Sequence, residues 1–138
     1  MKTYRYQVTF TGRVSPQDDM GTEMGIEAVG PLGPGCDPLF GAPGSPVRLG
    51  VLVSNDEDGA FTVQGEVTLP GGTLTLGSDP APALRDLPDP RLQSGTLTAR
   101  IEDGSGALSG ATGSVFMHFT VDEDAVFIDL QSGLVFLG

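Results

Sequence analysis

Phe61-Thr62-Val63-Gln64-Gly65-Glu66-Val67-Thr68-Leu69-Pro70-Gly71-Gly72-Thr73-Leu74-Thr75-Leu76 is the stretch on which the reading of the chain turns. Phe61, Val63, Val67 and Leu69 fall in one phase of a two-residue period, and Thr62, Gln64, Glu66 and Thr68 fall in the other. An extended chain places the two phases on opposite faces, whereas a helix would scatter both around its axis. Pro70-Gly71-Gly72 then reverses direction, because proline presets φ and glycine reaches positive φ without a Cβ clash. Thr73 to Leu76 returns as the partner strand, so the segment reads as a β-hairpin with one apolar face.

The same period extends outward in both directions. Tyr4, Tyr6, Val8 and Phe10 alternate with Arg5, Gln7 and Thr9. Leu97, Ala99 and Ile101 form the inner phase of Thr96 to Glu102, and Val115, Met117, Phe119 and Val121 that of Ser114 to Val121. Leu49 to Val53 is a further strand. At the C-terminus, Val126 to Leu130 and Leu134 to Leu137 read as two strands joined by a turn at Gln131-Ser132-Gly133. The total is about eight strands with turns roughly every 8–12 residues, the rhythm of a sandwich or barrel. Residues 1–138 are expected to form a single all-β domain, an eight-stranded antiparallel β-barrel with less than ~15% helix, well below the general share of about a third.

Two segments break the rhythm. Ser15 to Pro46 holds six of the eleven prolines and Gly77 to Leu92 four more. Met24, Ile26 and Ala28 suggest a short strand within the first insertion, and Ala81 to Leu87 one helical turn within the second. Connections of this length serve either as lids and partner surfaces or as flexible loops.

Charge narrows the function classes. Eighteen acidic residues against seven basic ones give a net charge of −11, which repels phosphate backbones and anionic membranes. No nucleic-acid or membrane partner is expected. The acids cluster in turn-like runs such as Asp56-Glu57-Asp58 and Asp122-Glu123-Asp124, as a solvated rim would. The N-terminal residues lack the apolar core of a secretory signal, and no run approaches the ~18 apolar residues of a membrane span, so the expectation is a cytoplasmic protein.

Reactive chemistry is sparse. A single cysteine, Cys36, excludes an intrachain disulfide, and one cysteine with one histidine cannot compose a zinc site. Ser54 to Gly59 resembles a calcium loop only faintly, since its twelfth position is Gly65 where a bidentate glutamate belongs. Neither a metal nor a cofactor is expected. The candidate ligand-binding residues are Tyr4 and Tyr6, whose phase is inward and whose hydroxyls need partners when buried, together with Glu66, Glu102 and His118. The last three lie in the polar phase of their own strands, so solvent-exposed roles compete with catalytic ones. No catalytic residue is assigned.

Gly104-Ser105-Gly106-Ala107-Leu108-Ser109-Gly110-Ala111-Thr112-Gly113-Ser114-Val115, between two of these strands, resembles the glycine-rich segment of the allene oxide cyclase and dirigent-like barrel superfamily. The resemblance covers about residues 95 to 120. It implies an eight-stranded antiparallel barrel, often trimeric, around an apolar cavity that holds a hydrophobic small molecule. Enzymes of that superfamily steer a reactive intermediate through cyclisation without an organic cofactor. The glycines carry over as fold determinants, no catalytic residue of the superfamily matches a position here, and the Ser15 to Pro46 insertion departs from its pattern.

Two functions follow as expectations. One is a small-molecule-binding barrel, with cofactor-free cyclase or isomerase activity on a hydrophobic substrate. The other is a non-catalytic structural or interaction protein whose barrel core is filled. Leu134 to Leu137 is apolar in both phases and Val126 to Ile128 nearly so, which calls for a second covering surface. The cover is either the Ser15 to Pro46 insertion or another subunit; a homo-oligomer is the expectation, and the resemblance favours a trimer.

Overall fold

The computed structural model describes residues 1–138 as nine antiparallel strands and two three-residue 3-10 helices, with no helix long and apolar enough to cross a membrane. The strands are β1 (Lys2–Pro16), β2 (Glu23–Pro31), β3 (Pro46–Asn55), β4 (Phe61–Leu69), β5 (Gly72–Gly77), β6 (Arg85–Asp86), β7 (Leu92–Gly104), β8 (Thr112–Asp122) and β9 (Val126–Leu137). Their order is β5-β4-β3-β2-β1-β9-β8-β7, and a further β5–β7 pairing closes the ring, giving an eight-stranded antiparallel barrel. Closure passes through a register shift between Thr75 and Leu76, where Glu102 is the extra residue on β7, a bulge that bends β7. The two-residue β6 hangs on the start of β7 outside the ring.

The inner phase is as the alternation requires. Phe61, Val63, Val67 and Leu69 on β4, Leu97, Ala99 and Ile101 on β7, and Val115, Met117 and Phe119 on β8 all join one core of 27 buried apolar residues. Phe61, Phe119 and Phe127 stack in sequence near one end, with ring centroids 6.0 and 5.4 Å apart.

Both insertions serve as end caps. On the first, the 3-10 helix Pro38–Phe40 delivers Phe40 into the barrel end, edge-on to Tyr6 at 5.2 Å. The β7–β8 connection buries Leu108. These two segments are tied together through the β4–β5 turn, since the Gly71 amide donates to the Phe40 carbonyl at 3.1 Å and the Ala107 amide donates to the Gly71 carbonyl at 2.9 Å. The first insertion also seals the part of β1 that β2 leaves unpaired. Gly33 donates to the Gln7 carbonyl at 2.9 Å, Asp37 to the Arg5 carbonyl at 3.1 Å, and the Gln7 amide to Cys36 Sγ at 3.1 Å. Cys36 thus finishes a strand edge. On the second insertion, Ala81 and Phe61 exchange a pair of backbone hydrogen bonds of 2.7 and 3.0 Å.

Three expectations need correction. Ala81 to Leu87 forms no helical turn: Ala81 bridges to β4 and Arg85–Asp86 is strand β6, with Pro80, Pro82, Pro88 and Pro90 removing amide donors along the segment. Met24 to Ala28 is part of a nine-residue barrel strand, not a minor one. Gln131-Ser132-Gly133 is no turn but the middle of the twelve-residue β9. Gly133 faces inward directly across from Tyr6, and a Cβ there would lie 1.9 Å from the Tyr6 ring. The glycine is a seat for an aromatic ring. Gly113 is in strand β8 with φ of 131°, where a Cβ would meet the Leu134 carbonyl oxygen at 2.0 Å.

Candidate functional site

Over residues 128–131, β9 keeps its alternation and inverts its chemistry. Asp129 and Gln131 are buried, at 0% and 2% exposure, while Ile128 and Leu130 face solvent at 42% and 56%. The phase is fixed by Phe127 and Val135, both fully buried on either side, so slipping the register to bury Ile128 and Leu130 would expel two core residues.

On the inside, one polar network results. Tyr6 Oη donates to Gln131 Oε1 at 2.8 Å, and Gln131 Nε2 donates to Asp129 Oδ2 at 3.0 Å. Asp129 Oδ1 is buried without a hydrogen-bond partner. The register partners of Asp129 are Phe10 on β1 and Phe119 on β8, both buried on the same face. Desolvation in these surroundings pushes the Asp129 carboxyl up to about 7, against the lowering pull of the Gln131 amide and the His118 main chain. Tyr6 is also driven upward, first by burial and then by the charge of Asp129. A buried carboxyl held near neutrality marks a candidate site. Phe40 and Leu108 are buried at the end of the barrel where Tyr6 lies, with Phe40 edge-on to the Tyr6 ring.

On the outside, registered rows of side chains cross β7, β8, β9 and β1. One row runs Thr96, His118, Leu130, Thr9; the next runs Thr98, Phe116, Ser132, Gln7. The flanking rows are Thr120, Ile128, Thr11, Val29 on one side and Arg100, Ser114, Leu134, Arg5 on the other. No acidic residue occupies these strand positions in a chain of net charge −11. Carboxylates begin at the border, with Asp79 bound to Arg100, Asp37 beside Arg5, and Glu27 and Asp122 one row beyond. Phe116, 48% exposed, stands on this face, and the wall of the first insertion bounds it on the far side. Between Thr9 and Leu130 on the floor and Pro31, Pro34 and Pro43 on the wall lies an open groove of about 800 Å³.

The residues singled out from sequence are not brought together. Tyr6 is in the interior network, and Tyr4 is half-buried two positions away on the same inner face. Glu66 is exposed on the outer face of β4. Glu102 is exposed on the outer face of β7, where its carboxylate lies over Gly77. His118 is exposed on β8, opposite Leu130. Sequence reasoning missed Asp129 and Gln131. The unbroken phase Phe127, Asp129, Gln131, Gly133, Val135 is the signal that marks them, and reading Gln-Ser-Gly as a turn hid it. Compared with known proteins, the chain matches no family model, no curated protein and no solved structure.

Proposed function

We propose that this barrel works from its outside, as a non-catalytic interaction protein with a filled core. The observation that carries the reading is the interior: 27 apolar side chains form one contiguous cluster, and of the two buried polar side chains that accompany them Gln131 is bonded to Tyr6 and to Asp129, leaving Asp129 Oδ1 alone unpartnered. Small eight-stranded barrels of this kind hold side chains where wider ones hold ligands. Caps built from Phe40 and Leu108 and bonded through Gly71 support a closed end, unlike a lid that swings. A cyclase of the kind implied by the glycine-rich segment needs an empty apolar chamber to constrain a flexible substrate, and the packing leaves little room for one.

The test is a titration with apolar probes, a fluorescent fatty acid and an anilinonaphthalene sulfonate, read by fluorescence and by native mass spectrometry. No saturable one-to-one binding is expected. A probe retained at one per chain that is displaced by the Tyr6→Trp substitution inside the barrel would restore the small-molecule reading.

A further inference from the structure

Resting on the outside-working reading, we propose that the acid-free face of β7, β8, β9 and β1 binds a second copy of this chain, in a two-fold dimer that seats Phe116 of each copy in the groove beside Leu130 of the other. Four observations lead there. The ring is closed, so no free strand edge is available in the barrel for pairing and association must proceed face to face through side chains. Two chains of −11 repel wherever carboxylates meet, and this face is where two copies can approach with no acidic strand position opposed. Arg5 and Arg100 share one row at its edge, and each has a carboxylate beside it, Asp37 and Asp79, so the cations bring their own counter-charge to the contact.

The shape is also self-complementary. Phe116 projects from β8 on one side of β9, and the groove floored by Thr9 and Leu130 lies on the other side. A two-fold axis running along β9 in the plane of contact exchanges these two sides, so each protrusion meets the opposite copy's groove. A trimer would need two different patches per chain, one for each neighbour, and the acid-free surface is a single continuous one. Four strands at ~4.8 Å and four rows at ~6.7 Å make a footprint of about 500 Å². The insertion wall at Pro31 and Pro34 extends it toward the ~800 Å² per partner of a standard interface.

Sedimentation equilibrium of the full chain from 1 to 200 µM, in moderate salt to screen the net charge, decides the matter. The expected result is a mass rising from one chain of 14.2 kDa to two. Leu130→Glu and Phe116→Glu are expected to weaken association by at least about tenfold. Thr75→Glu, which adds the same charge on the exposed outer face of β5, is expected to leave it unchanged. Circular dichroism of each variant confirms that the barrel is intact, as expected for side chains that point into solvent. A single-chain mass at 200 µM, a three-chain mass, or a dimer indifferent to Leu130→Glu overturns the proposal. None of those outcomes touches the filled-core reading, which stands or falls on the probe titration.

Discussion

β4 and β9 obey the same two-residue rule and come out chemically opposite. On β4 the inner phase is Phe61, Val63, Val67 and Leu69, and the outer phase is polar. On β9 the inner phase passes through Asp129 and Gln131 while Ile128 and Leu130 face out. Alternation therefore sets which residues share a face, and it leaves open which face is the core. On β4 hydrophobic burial alone decides. On β9 the decision is made by the flanking Phe127 and Val135, by the Gly133 seat beneath Tyr6, and by a hydrogen-bond chain that compensates part of the cost of two buried polar groups.

The largest effect that separates the two strands is a pH dependence confined to β9. Asp129 has its folded-state value raised to about 7 from an ordinary 3.8, so the native state binds the proton more tightly than the unfolded chain does. Its contribution is full below the unfolded value, is lost as pH rises from about 4 to 7, and is gone above that. The loss amounts to about 4 kcal/mol across the window. Asp129→Asn is expected to remove this dependence and to be more stable than the native chain at pH 8. Urea denaturation of both proteins at pH 5 and pH 8 checks it, and parallel pH profiles would break the comparison.

Next in size is Gly133→Val, where the new Cβ and its methyl groups would occupy the Tyr6 ring. A loss of about 3 kcal/mol is expected, read as a shift in urea midpoint. Tyr6→Ala in the same chain should recover part of it, because the clash is with that ring. Smaller again is Gln131→Leu, which leaves Tyr6 Oη and Asp129 Oδ2 buried without their partner and is expected to cost about 2 kcal/mol. The smallest effect is Leu130→Thr on the outer face, expected to change the stability of the single chain by less than about 0.5 kcal/mol. The matching change on β4, Val67→Thr, removes a fully buried apolar group and should cost several times more.

Much of the barrel was legible in the sequence because its strands carry their own instructions. The hairpin of β4 and β5 and the inner phases of β7 and β8 follow from local pattern and from what glycine permits. The count of eight rests in part on compensation, with β9 divided in two and the strand at Glu23–Pro31 left outside the count as a short strand of the insertion. The turn reading of Gln131-Ser132-Gly133 failed for a non-local reason, since Tyr6, 127 positions away from Gly133, supplies the ring that makes a strand glycine useful. The same distance hid the site. Tyr6 was identified as an inward hydroxyl needing a partner, but the partners lie on a strand whose continuity was not seen. The insertions were legible as interruptions, and their roles as caps depend on Phe40, Leu108 and Ala81 meeting strands far from them in the chain.

The Asp129 carboxyl points into the barrel while its neighbours Ile128 and Leu130 face solvent. The most direct measurement is a carbon-13 NMR titration of the aspartate side-chain carboxyls, with Asp129 assigned by its loss in Asp129→Asn. A midpoint near 7 is expected, set apart from the surface carboxylates. A midpoint near the ordinary 3.8 would mean a solvated carboxylate, and with it a β9 turned the other way round.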